Sequence, residues 1–241
     1  ARGWLVRMRA AVSVQCIRVG ALPVRVIDYD PTGTSELKTL LDGQPHMVFE
    51  AHSTDYQTTG HLTALVEDHW AVLKVGPGLT FALREALFAL SGIEAELLPS
   101  GRRADLPGVL EQRMLAEPTY WKAYYDGDAD TQRVARRYSY SDRLRYYWPD
   151  PDVHRAQQQL LSNLSAVPIP QPLLSQFLPT QYEHVRDGLV VNEPYALALD
   201  SVRDVLRSYA IACRTSPAPA PTILRRPSRP LNENVRSVPC P

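Results

Sequence analysis

Every clear β-forming segment of this 241-residue chain lies before residue 76. A β-branched run (VRVIDYDP, 24–31) starts in earnest at Arg25 and is closed by Asp30, Pro31 and Gly33. Two more short apolar runs, 47–51 and 71–75, open into the polar segment His52-Ser53-Thr54-Asp55 and the turn Gly76-Pro77-Gly78. Helical spacing separates them, over 35–41 and 60–68, and a longer helix over 80–97 aligns Leu83, Leu87, Leu90 and Ile93 in one stripe. Strand–helix alternation with short loops implies parallel strands joined by crossover helices. Beyond Val75 the periodic segments are all helical: 106–114, 129–138, 153–164 and 195–213. A closed (β/α)8 barrel needs eight parallel strands in about 250 residues. Three clear strands, four if 11–19 is counted, cannot make one. The expected fold class is α/β: a small open unit, or the last strands of a partial TIM-type (β/α) barrel, followed by a helical extension.

The organisation read from the sequence has four parts. Residues 1–24 mix apolar residues with arginine and give no steady period; 25–100 hold the β/α units; 101–214 are helical; 215–241 form a proline- and arginine-rich tail expected to be disordered. Pro168, Pro170 and Pro172 stiffen a connection inside the helical part, and Asn192 with Pro194 offer a cap and a first-turn proline to the last helix. Lysine plus arginine number 26 and aspartate plus glutamate 26, so the broad positive field that nucleic acid or an anionic membrane would need is absent. No apolar run approaches the roughly 20 residues that span a bilayer. Cys16, Cys213 and Cys240 are odd in number and far apart, which makes neither a disulfide framework nor a zinc pattern. Arg2, Arg7 and Arg9 interrupt any leader-like apolar core, and a reducing, cytoplasmic setting is expected.

Two strand ends carry candidate chemistry. In FEAHSTDY (49–56), strand alternation puts Glu50 and His52 on one face where the strand gives way to a polar loop. A carboxylate and an imidazole there could move protons or bind a divalent metal through His52. The plainer alternative pairs Glu50 with a lysine or arginine and His52 with a loop carbonyl. Ser53, Thr54 and Asp55 could hold a hydroxylated or phosphorylated ligand, or cap the next helix. In LKVGPGLT (73–80), strand, glycine turn and helix start leave backbone N–H groups beside a helix dipole, an anion site in which Lys74, Gly76, Gly78 and Thr80 could meet phosphate. The order of a P-loop is missing. A third segment interleaves aromatics with arginine (Tyr120 to Tyr125, then RYSYSDRLRYYWPDP, 137–151). Intramolecular packing is its first reading, a subunit interface its second and nucleic acid a distant third. His46, His61, His69, His154 and His184 have no partners at metal-ligand spacing.

FEAHSTDYQT (49–58), LKVGPGLTFALREALFAL (73–90), RYSYSDRLRYYWPDP (137–151) and PIPQPLLSQFLPTQYEHVRDG (168–188) resemble the non-catalytic subunit family of class II D-tagatose-1,6-bisphosphate aldolase, from about Arg25 to Cys213. The resemblance covers only the carboxyl-terminal part of family members, so the chain is expected to lack the early barrel strands, as a truncated form or the remnant of a disrupted gene would. It implies a TIM-type barrel with extra helices. It also implies an accessory role beside a separate zinc-using catalytic subunit acting on a sugar phosphate, in galactitol and amino-sugar catabolism. By position, His52 would match a metal-reaching histidine, Ser53 would lie near phosphate, and 74–80 would form a second phosphate loop. An alternative implied by some members is metal-assisted 4-epimerisation of fructose 6-phosphate to tagatose 6-phosphate, with Glu50 and His52 as the acid/base pair. Naming as a tagatose 6-phosphate kinase finds no support in a sequence without a nucleotide-binding motif.

Overall fold

The computed structural model describes residues 10–14, 20–22, 24–39 and 47–213. Strands β1 (Ala10–Val14), β4 (Met47–Ala51) and β5 (Trp70–Leu73) form a parallel sheet in that order. Strands β2 (Gly20–Leu22) and β3 (Arg25–Ile27) pair antiparallel as a separate hairpin. The run at Arg25 is therefore a strand, but of the hairpin, and the first parallel strand comes from the segment without a steady period. Three residues at Arg25–Ile27 are too short a signal to distinguish hairpin from crossover strand. The hairpin is tied to the sheet's polar loop by Gln57, whose amide donates to Ile27 O at 2.9 Å and whose Oε1 accepts from Tyr29 N at 2.8 Å.

Helix α1 (Ser35–Thr39) follows the hairpin, α2 (Thr59–Glu67) joins β4 to β5, and α3 (Pro77–Leu97) leaves β5. Then come α4 (Leu106–Ala116), α5 (Ala129–Tyr138), α6 (Pro151–Ala166), α7 (Gln171–Phe177), α8 (Pro179–Arg186) and α9 (Pro194–Ala212). Proline opens α3, α6, α8 and α9, where its missing N–H costs no helical bond. Helices α7 and α8 carry no periodic signal in the sequence: each is at most eight residues long, and the prolines before them read as a connection. Asn192 does not cap α9. Its amide donates to Ile169 O at 2.9 Å, and Glu193 takes the cap position without a side-chain bond.

Two apolar cores form. One lies among the helices, with Leu87, Leu90, Ile93, Leu106, Leu110 and Leu160 fully or almost fully buried. The other lies on the sheet, with Phe49, Ala51, Leu62, Leu65, Trp70 and Ala212. Helix α9 enters both, through Leu197 and Ala198 at one end and Ala212 at the other. It fixes the helical part against the sheet. Among the described residues no helix is long and apolar enough to cross a membrane. The sequence expectations for 1–9 and 215–241, like those for His46, Cys16 and Cys240, lie outside the described residues.

Candidate functional site

The carboxyl ends of β4 and β5 define the site. Phe49 faces Trp70, but Glu50 faces Val72, because the register shifts there and Ala71 is left over as a bulge. Lys74, two residues beyond Val72, then falls on Glu50's face. Glu50 Oε1 lies 2.6 Å from Lys74 Nζ and 2.7 Å from His52 Nε2. The ammonium of Lys74, more than burial opposes it, holds the Glu50 carboxyl below the ordinary glutamate range, with His52 adding to the effect. The face shared by Glu50 and His52 is as the alternation of β4 requires, and the lysine completes a three-group contact.

The next residues are held largely by the chain itself. Ser53 is exposed with φ 58°, and Tyr56 has φ 64°. Thr54 is buried: its N–H and hydroxyl both donate to Lys74 O, at 3.1 and 3.0 Å, and Tyr209 of α9 donates to Thr54 O at 2.9 Å. The Thr54 hydroxyl is thus committed to holding the two strand ends together. Asp55 does not cap α2, which Thr58 caps by accepting from His61 N. It reaches across to α3 instead, and its Oδ1 accepts from Gly76 N at 2.8 Å and Gly78 N at 2.7 Å. The helix end expected to receive phosphate at Gly76 and Gly78 is therefore filled by the chain's own carboxylate. Thr80 donates to Pro77 O at 3.0 Å and approaches Asp142 at 3.5 Å.

The aromatic–arginine segment closes over this rim. Tyr56 donates to Tyr140 O at 2.9 Å, and the rings of Tyr56, Phe81 and Tyr140 meet with centroids 5.0 to 5.3 Å apart. Arg84 and Asp142 form a buried ion pair at 3.6 Å. Burial pushes the Asp142 carboxyl up even though Arg84 and Arg145 pull the other way. A cavity of about 210 Å3 remains between the two layers, with Ser53, Asp55, Tyr56, Asp142, Arg143 and Arg145 in its walls. A larger open groove of about 820 Å3 runs along α3 and α5, and its walls are mainly aromatic and aliphatic.

Among the described residues, no third metal-type ligand joins His52 and Glu50. A structural or catalytic zinc takes three or four protein ligands. Here one imidazole points its Nε2 at a carboxylate that also binds an ammonium. A different histidine, His184, gathers carboxylates that sequence spacing could not reveal, because they lie on another helix. Its Nδ1 is 2.6 Å from Asp200, and Asp204 is near enough that the three could hold an ion. Arg207 binds both aspartates and Gln181 donates to Asp204 at 2.8 Å, so this is a closed ion-pair network between α8 and α9. Burial would raise Asp200, but His184 and Arg207 outweigh it and keep that carboxyl low; Asp204 is raised by burial.

A helix-dominated α/β protein results, with its polar cluster at the carboxyl ends of neighbouring parallel strands, the edge where such sheets carry their ligand sites. The chain belongs to the family described as D-tagatose-1,6-bisphosphate aldolase subunit GatZ/KbaZ-like, whose family model matches residues 10–214. The match starts at residue 10 rather than near Arg25, in keeping with β1 being part of the parallel sheet. The fold is also similar to the crystal structure of a probable tagatose 6 phosphate kinase from Sinorhizobium meliloti 1021. The two share 48% identity with a TM-score of 0.80, over 84% of this chain and 52% of that one. The chain thus spans about half the length of that protein.

Proposed function

We propose that this chain acts as an accessory, non-catalytic subunit that supports the activity and stability of a separate class II D-tagatose-1,6-bisphosphate aldolase, in galactitol or amino-sugar catabolism. The family match over residues 10–214 carries the reading. A partial TIM-type barrel agrees with it. The sheet order follows chain order, β1-β4-β5, without the reversal that marks a doubly wound sheet. Among the described residues β1 and β5 each pair on one side only, as the outer strands of an incomplete ring would. Both the family description and the neighbour's name refer to a phosphorylated ketohexose, and a sugar phosphate is the ligand class we assign. The test is co-expression with the catalytic subunit. The two should co-purify, and the aldolase should keep its activity longer on warming; separate elution with an unchanged half-life would overturn the reading.

The contact of Glu50 with both His52 and Lys74 favours a second reading, a ketose-phosphate 4-epimerase. Glu50 would orient the imidazole to take the C4 hydroxyl proton as the C3–C4 bond opens to an enediolate and an aldehyde, and to return it once the aldehyde has turned over and the bond has re-formed on its other face; the ammonium would face the negative charge on the enediolate oxygen. Conversion of fructose 6-phosphate to tagatose 6-phosphate that disappears in His52→Ala would support it, and its absence from the unaltered protein would remove it.

A further inference from the structure

The end of α3 is closed by Asp55, so the phosphate of a sugar phosphate has to be met elsewhere. The 210 Å3 cavity lies directly beside it. Four charged side chains line that cavity: Asp55, Asp142, Arg143 and Arg145. Both acids already have counter-groups. Asp55 is held by two amides at the positive end of α3, and Asp142 is backed by Arg84 at 3.6 Å. The arginines are held differently. Among the described residues neither forms a direct ion pair with a carboxylate. Arg143 lies 3.4 Å over the ring of Tyr124, and Arg145 lies 4.8 Å over that of Tyr146 while donating to its hydroxyl at 2.9 Å.

Stacking on a ring uses the face of a guanidinium and leaves edge donors for an acceptor in the plane, the arrangement suited to phosphate; in Arg145 one of these donors is given to Tyr146, and the others remain. With Arg84 counted behind Asp142, the arginines Arg84, Arg143 and Arg145 outnumber the acids Asp55 and Asp142 at this cavity, although Arg145 also acts on Asp142. Ser53 adds an exposed residue with a hydroxyl to the same wall. The volume is below the roughly 300–1,000 Å3 of pockets for drug-sized ligands, and suits a phosphoryl group with a short carbon chain better than a nucleotide.

We propose that Arg143 and Arg145 form the phosphate-binding edge of this cavity and that its ligand is a small phosphorylated sugar. The sugar part rests on the reading above; the phosphate part rests on the arginines alone. The test titrates the 241-residue chain with inorganic phosphate, fructose 6-phosphate and unphosphorylated fructose at constant ionic strength, following heat. Both phosphorylated probes should bind saturably and fructose should not. Arg145→Gln should weaken both by about tenfold or more, the size expected for a lost charge-assisted hydrogen bond. On the unaltered chain, fructose 6-phosphate should slow phenylglyoxal modification of Arg143 and Arg145 but not of the exposed Arg186. No saturable binding, equal affinity in Arg145→Gln, or no protection of either arginine would overturn the proposal. Phosphate binding without any effect on the catalytic aldolase would sustain it and remove the accessory reading. Aldolase stabilisation without phosphate binding would do the reverse.

Discussion

The Oδ1 atom of Asp55 lies 2.7 Å from the amide nitrogen of Gly78, so the loop after β4 caps the helix after β5. The bond spans 23 residues of sequence and locks two adjacent strand ends into one rim. Replacing Asp55 by alanine should lower stability by about 2 kcal/mol, because two donors to a buried carboxylate lose their partner. Asp55→Asn, which keeps an acceptor, should cost less. Urea unfolding of the two variants beside the parent decides this, and equal midpoints for all three would refute it.

Arg84 and Asp142 should respond differently to single and to paired changes. Both are almost fully buried. Arg84→Met alone or Asp142→Leu alone should destabilise by about 3–5 kcal/mol, since each strands a buried charge. The double variant should recover most of that loss. A double-mutant cycle by chemical denaturation measures the coupling, and additive losses would mean the pair is not coupled.

Alkaline pH should unfold the protein through its tyrosines. Burial raises the hydroxyls of Tyr29, Tyr147 and Tyr209 to about 12. A raised folded value means these hydroxyls contribute their full stability below about 10 and lose it as pH climbs toward 12. Circular dichroism across that window should show a steep decline. Tyr209→Phe should flatten part of it, while costing about 1 kcal/mol at neutral pH through the lost bond to Thr54.

Glu50 works in the other direction. Its carboxyl is held low, chiefly by Lys74, so the stability it contributes is present above the ordinary glutamate value and fades as pH falls through the lowered one. Lys74→Ala should bring the Glu50 titration back toward the ordinary range. Carboxyl NMR of the two proteins reads the shift, and an unmoved titration would assign the effect to His52.

The long elements were legible in the sequence because each carries its own signal. Residues 129–138 and 47–51 coincide with α5 and β4, and the stripe of Leu83, Leu87, Leu90 and Ile93 belongs to α3, which starts a little earlier than its pattern, at Pro77. Short elements were not. The periodicity of α7 and α8 is cut off by proline before it can repeat; β1 overlaps the 11–19 stretch that counts as a possible fourth strand, but nothing local to it shows that it pairs parallel with β4. At the site, alternation along one strand sufficed to put Glu50 with His52. The roles of Asp55 and Lys74 depend on a bulge and on a neighbouring strand, and Arg143 enters from a segment whose aromatic content pointed to packing. Contacts between residues so far apart leave no mark in local spacing.

The bond between Thr54 and Tyr209 joins residues 155 positions apart. A ribosome adding about 5–20 residues per second needs roughly 8–30 s to cover that stretch. For that time the nascent sheet waits without its last helix, its apolar surface and strand edges open to other chains. Chaperone demand during synthesis should therefore follow how late α9 arrives, and slow translation of the helical region should favour aggregation over assembly.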